Sequence, residues 1–226
     1  MNTSFELGQQ IQTLLRAKGI ETPMVAERND AERNDAGISA TIQDAQYHIM
    51  EALGLDMEDD SLRDTPKRVA KMYTQEVFTG LDYRNFPKCT TVENKMGYDE
   101  VIAVRAQVNS ICEHHFVPFV GTAHIAYIPK DYVLGLSKFN RVTDFFSRRP
   151  QIQERLTEQI SAALAYILET DDVAVIIRAE HFCVRLRGCK DVMGMTTTSK
   201  LSGRFRTNDA LRSEFFGLAQ LGGKND

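Results

Sequence analysis

The amino-acid sequence predicts an α+β protein: helices lead into two long strand pairs, and two helices separate those pairs. Three observations carry this. Residues 100–111 alternate Val101, Ala103, Arg105 and Gln107 against Ile102, Val104, Ala106 and Val108, and a second strand-like run, 119–128, stops at Pro129. Apolar residues then recur at helical spacing after Pro150, with Ile152, Leu156, Ile160, Ala163, Leu164, Ile167 and Leu168 forming one stripe. Strand composition returns over 172–187 and again over 196–205, before a terminal helix over 209–218.

Taken in order, residues 1–40 form an N-terminal extension. Phe5, Leu7, Ile11, Leu14 and Leu15 predict one short amphipathic helix there. Ala26-Glu-Arg-Asn-Asp30 is repeated at once as Ala31–Asp35, without an apolar face, which predicts a solvated linker or helix extension. Residues 41–96 form a helical region. Ile42, Ala45, Ile49, Met50 and Leu53 make a stripe closed by Gly54. Asp64 is the expected cap of a helix over 67–78, with Pro66 in its first turn and Val69, Met72, Tyr73 and Val77 facing inward. Arg68 and Lys71, three apart, share a face of that helix. Residues 81–97 are expected to be a connecting loop, and residues 97–226 carry the remaining chemistry.

Within that last region, Gly135-Leu136-Ser137-Lys138 opens a helix running to about residue 148. Free N–H groups at a helix start suit an anion. Ser137 adds a hydroxyl, Lys138 a charge, and Arg141 lies one turn further on. Arg148, Arg149 and Arg155 add to this local positive charge, and Arg185, Arg187 and Lys190 follow later. Gln153 and Glu154 begin the next helix. Counted by twos, His181, Cys183, Arg185 and Arg187 share one strand face if the strand is unbroken.

Composition excludes some classes. The chain has 226 residues, 42% hydrophobic and 26% charged, with a net charge of −4 and no basic tail, so a general nucleic-acid binder is not expected. No apolar run approaches a membrane span, and the first residues lack the pattern of a secretory signal. Four cysteines are too few for a disulfide scaffold and point to the reducing cytoplasm, with thiols available for metal.

The chemistry centres on Cys112-Glu113-His114-His115. A Cys-x-x-His turn can aim sulfur and nitrogen at one cation, and a catalytic zinc takes three protein ligands with one position open. Cys183 is the expected third ligand beside Cys112 and His115, leaving His114 and His181 as acid–base groups. Taken alone, a Cys-x-x-His is weak evidence for metal; the crowding of histidines 114, 115, 124 and 181 around two cysteines strengthens it. His124 lies within a strand and is expected to serve a structural role.

The segments CEHHFVPFVGTAHIAYIP, GLSKFNRV, QIQERLTEQI and AEHFCVRLRG closely resemble GTP cyclohydrolase I, and the resemblance runs from about residue 41 to 218. It implies a tunnelling-fold ββααββ unit over 97–226 that closes an oligomeric barrel, with ten copies arranged as two pentamers and active sites between subunits. The implied reaction converts GTP and water into formate and 7,8-dihydroneopterin triphosphate, the first step of pterin and folate biosynthesis. It also implies Zn2+ as cofactor, His181 as proton donor at the purine and His114 in later transfers. Glu154, with Gln153, meets guanine. Lys138, Arg141 and Arg187 hold the triphosphate, with Arg68 and Lys71 reaching in from an adjacent subunit, and Leu136 and Ser137 also belong to the substrate-binding set. The chain departs from the family where Gly194-Met195-Thr196 replaces the usual Ser-x-Thr and where Cys189 replaces an aliphatic residue. A cysteine-nucleophile nitrile reductase of the same fold, and a non-catalytic module with four zinc ligands, are the alternatives.

Overall fold

The structure, a computed structural model, describes residues 3–25 and 34–221. Most of the tandem AERND repeat lies outside these residues. Helix α1 (Phe5–Ala17) starts at Ser4, whose hydroxyl accepts from the Leu7 N–H, and buries Ile11 and Leu15 completely in the main core. Helix α2 (Asp35–Ala52) begins ahead of Thr41 because the Asn34 side chain caps it, accepting from Gly37 N–H at 3.0 Å.

Helix α3 (Thr65–Met72) has Pro66 in its first turn, but Asp64 makes no capping hydrogen bond. Its carboxylate instead lies 3.7 Å from Arg68. The expected helix over 67–78 changes character at Tyr73, where residues Tyr73–Val77 widen into a π turn. The expected loop over 81–97 contains a 3₁₀ turn (Tyr83–Asn85) and β1 (Thr91–Glu93), which pairs antiparallel with β4 (Tyr132–Leu134). Three-residue elements are too short to leave a periodic signature.

The main sheet has five strands in the order β5-β2-β3-β6-β7. β2 (Ile102–Cys112) and β3 (Pro118–Tyr127) form the expected hairpin, in register from Ile102↔Tyr127 to Ile111↔Pro118. β6 (Val173–His181) pairs with β3, and β7 (Thr196–Leu201) closes the far edge. The short β5 (Pro150–Gln151) lies parallel to β2 at Ile111 and Cys112. Gly121 permits the close approach of β3 to β6: a Cβ there would stand 2.0 Å from the Arg178 carbonyl oxygen.

Helices α4 (Leu136–Ser147) and α5 (Gln153–Leu168) cover one face of this sheet. Phe139, Phe146, Leu156 and Ile160 interlock there with Ala106, Val108, Phe119, Val175 and Ile177. Each large apolar side chain so buried contributes about 1.5–3 kcal/mol. Near one end the opposite face is also covered, by α7 (Arg204–Thr207) and α8 (Asp209–Leu221), with Phe205 and Phe215 over Ala126, Ile128, Ala174 and Ile176. This is why β6 is apolar over consecutive positions from Val173 to Ile177 rather than alternating.

The expected strand over 172–187 ends at His181, and Phe182–Arg185 turn into a short helix, α6. The pairing explains the break. Phe119↔His181 is the last β3–β6 pair, and the neighbouring β3 residue is Pro118, which has no N–H to offer a continuing ladder. The expected group of cations is also redistributed. Arg149 is fully buried, donates to the Gly80 carbonyl and to Glu21 (3.1 Å), and stacks on Phe145 and Phe146, thereby holding the N-terminal segment against the end of α4. Arg148 pairs with Asp144, and Arg155 with Glu113.

Candidate active site

β2 delivers Cys112, 5% exposed, to the mouth of the hairpin. The turn beyond it is held at several points. The Cys112 N–H donates to Val117 O at 2.8 Å, the Phe116 N–H to Cys112 O at 2.9 Å, and the Glu113 N–H to Gln151 O at 3.0 Å. Phe116 adopts a left-handed backbone (φ +52°), which tightens the turn at some cost for a bulky residue. Glu113 then fixes the turn to α5 through a bidentate pair with Arg155, at 2.6 and 3.2 Å. Sequence reasoning missed this clamp, because the two partners lie 42 residues apart and neither forms a motif with the other.

The helical turn α6 brings Cys183 to the same place. The ligand atoms of Cys112, His115 and Cys183 lie within 4.8 Å of one another. A tetrahedral ion with ligand bonds of about 2.0–2.3 Å spans ligand–ligand edges of roughly 3.3–3.8 Å, so this group can close on zinc with small adjustments. The donor chemistry fits as well: two thiols and an imidazole are a zinc set rather than a magnesium or calcium set. Burial and the adjacent Cys112 thiol push the Cys183 thiol up, and the Arg187 guanidinium opposes that shift. Strand alternation was therefore the wrong route to Cys183.

Two further imidazoles flank the group. His114, 65% exposed at its side chain, places Nδ1 4.0 Å from Cys112 Sγ. His181 stacks flat on Phe119, with ring centroids 4.7 Å apart and planes 8° from parallel, and its Nε2 lies 2.8 Å from Gln153 Oε1. Burial pushes the His181 imidazole down, and the nearby Glu154 carboxylate opposes that shift. Glu154 itself is exposed on the first turn of α5. His124, opposite Arg105 across the hairpin, is pushed down by burial and by that guanidinium.

The expected phosphate groups are more dispersed. Arg187 reaches the ligand turn and donates to His115 Nε2 at 2.8 Å. Leu136, Ser137 and Lys138 form the first turn of α4, and Gly135 at its cap supplies no side chain to the open N–H groups. Lys138 and Arg141 have no carboxylate partner among the described residues, and they lie close enough to Cys89 to oppose the burial that pushes its thiol up to about 11. Arg68 and Lys71 project from α3. Within the described residues no contact joins Lys138, Arg141, Arg68 or Lys71 to the Cys112–His115–Cys183 group. An aromatic trio does tie the end of α3 to the ligand turn: Phe78 lies 5.0 Å from Tyr73 and 5.5 Å from Phe116, ring centre to ring centre.

A family model described as GTP cyclohydrolase I matches residues 42–220. The chain is 51% identical over 208 residues to the GTP cyclohydrolase 1 of Aeromonas salmonicida, covering 92% of this chain and 94% of that one. It is 48% identical over 219 residues to the GTP cyclohydrolase 1 of Pasteurella multocida, covering 96% and 99%. Among solved structures, the archaeosine synthase QueF-Like in the apo form aligns with 46% of this chain and 93% of its own. That alignment has a TM-score of 0.39 and 16% identity, too distant to add to the assignment.

Proposed function

The chain belongs to the GTP cyclohydrolase I family, a family of GTP hydrolases, and on that premise we propose that Cys112, His115 and Cys183 hold zinc beside the point where GTP is opened at guanine C8. The products are formate and 7,8-dihydroneopterin triphosphate. The observation that carries the reading is the convergence of these three ligand atoms, with His181, two residues before Cys183, engaged by Gln153 rather than by the ligand group. That arrangement favours three protein ligands and an open position over a closed four-ligand site.

When bound, zinc supplies Lewis acidity and a water acidic enough to attack carbon near neutral pH. The protein's own groups do the rest. His181 exchanges a proton with the purine imidazole ring, and His114 serves the later transfers as the ring opens, formate leaves and the ribose rearranges. Imidazoles suit both directions of transfer near neutrality. Glu154, beside Gln153 at the start of α5, accepts from the guanine N–H groups. Leu136 and Ser137 at the α4 N-terminus, with Lys138, Arg141 and Arg187, hold the triphosphate, so that binding far from the reacting carbon fixes the base against the metal.

Glu154→Ala is expected to raise the KM for GTP about 10- to 100-fold, through loss of a charged acceptor worth about 1.5–3 kcal/mol. Steady-state kinetics check this, and an unchanged KM would return Glu154 to the role of a carboxylate favoured by the helix dipole.

The dispersal of cations within one chain supports a site completed by a second copy. Two features favour association: the outer edges of β5 and β7 are unpaired among the described residues, and Leu186, Val192 and Met193 are exposed. The family resemblance makes the assembly a decamer, in which Arg68 and Lys71 reach the triphosphate of a neighbour. Refolding Cys183→Ser together with Arg68→Ala/Lys71→Ala should therefore restore activity that neither variant has alone. No recovery in demonstrated mixed oligomers would confine the site to one chain.

A further inference from the structure

Gln153 was expected to meet the guanine base, yet its side-chain amide is committed inside the protein. The residue is 1% exposed. Its Nε2 lies 3.0 Å from Ile177 O, 3.1 Å from Thr196 O and 3.1 Å from Thr198 Oγ1. Two of these three partners are backbone carbonyls, which only accept. The amide nitrogen must therefore face them, and the amide oxygen must face His181. The oxygen lies 2.8 Å from His181 Nε2 and has no hydrogen to give. Nε2 is consequently the ring nitrogen that carries a proton in the neutral imidazole.

The surroundings hold this arrangement rigid. Thr157 Oγ1 bonds to Gln153 O at 2.8 Å and to Thr198 Oγ1 at 2.7 Å, tying helix α5 to β7 across the amide. Phe119 stacks on the imidazole and fixes its plane. A half-turn of the ring would keep its plane against Phe119 but would put a carbon where Nε2 stands, and so would cost the hydrogen bond to Gln153. Turning the amide would set its N–H groups against the proton on Nε2 and its oxygen against the carbonyl oxygens of Ile177 and Thr196.

We propose that Gln153 is a positioning residue that holds His181 as its Nε2–H tautomer, so that Nδ1 is the ring nitrogen presented to the substrate. This rests on the reading of His181 as an acid–base group. Proton exchange with the purine then takes place at Nδ1, and the proton on Nε2 stays with the Gln153 oxygen throughout. Gln153 acts through His181 and does not itself read guanine.

The tautomer can be measured directly by solid-state NMR of the full-length, zinc-loaded protein labelled with 15N in its histidine rings. The His181 signals are identified by their absence in His181→Ala. The expected result is a protonated Nε2 and a bare Nδ1 in the neutral ring; a protonated Nδ1 would overturn the proposal. Because this is read in the resting protein, it is independent of whether His181 takes part in turnover, which the activity of His181→Ala decides.

Gln153→Met, close in volume but without hydrogen bonds, gives the kinetic counterpart. It should lower kcat by about 10-fold or more, leave the KM for GTP within about two-fold, and abolish the single-tautomer signature of His181. A raised KM with kcat and the tautomer unchanged would make Gln153 a base-binding residue and remove it from this role. If the variant fails to fold, the wild-type tautomer still decides the question.

Discussion

Cys183→Ser is expected to lose both metal and turnover. A serine hydroxyl is a hard, protonated oxygen at neutral pH, whereas the thiolate is a soft anionic donor matched to zinc. Disturbing even the groups that support a metal ligand costs about 10–100-fold in metal affinity, so loss of a ligand should cost more than about 100-fold in both zinc affinity and activity. The fold should survive, because Cys183 sits on α6, outside the sheet and only partly buried. Metal analysis after dialysis, with GTP turnover on the same sample and a thermal melt as control, checks this. Stoichiometric zinc in the variant would strike Cys183 from the ligand set.

His181→Ala is expected to separate the acid–base group from the metal. Its Nε2 is held by Gln153, and none of its atoms belongs to the converging ligand group, so zinc content should stay at wild-type level. Turnover should fall about 10²–10⁴-fold, the usual contribution of a positioned proton-transfer group. Loss of the stacking on Phe119 would lower stability modestly, by about 0.5–1.5 kcal/mol beyond the area lost. If zinc leaves with the imidazole, His181 is a fourth ligand and the site is closed.

The sequence made the larger elements legible because their signals are local. The alternation of β2 and β3 and the stripe of α5 follow from side-chain period alone, and the hairpin follows from the turn between the strands. Cys112 and His115, two of the three proposed ligands, were legible for the same reason: they share one turn. Cys183 was found by residue type and neighbourhood, while the geometry offered for it, an unbroken strand, failed at Phe182. The cause of that failure lies on another strand, at Pro118, where no count along residues 172–187 could reveal it.

The cations illustrate the same limit. Arg149 and Arg155 look alike in the sequence, next to Lys138 and Arg141. Yet Arg149 is sealed into a core network by Glu21, 128 residues away, and Arg155 clamps Glu113. Charge in a sequence does not reveal which carboxylate will claim it. The roles of Gln153 and Phe119 were hidden likewise, since both depend on contacts between strands and helices distant in sequence.

One zinc, held by Cys112, His115 and Cys183, is proposed to make the conversion of GTP possible. The most direct measurement is metal content and formate release on the same wild-type preparation, before chelation, after chelation, and after zinc is restored. The expected result is one zinc per chain, no formate release from the metal-free protein, and recovery in proportion to zinc added back. Full turnover of GTP by protein shown to contain no metal would contradict it.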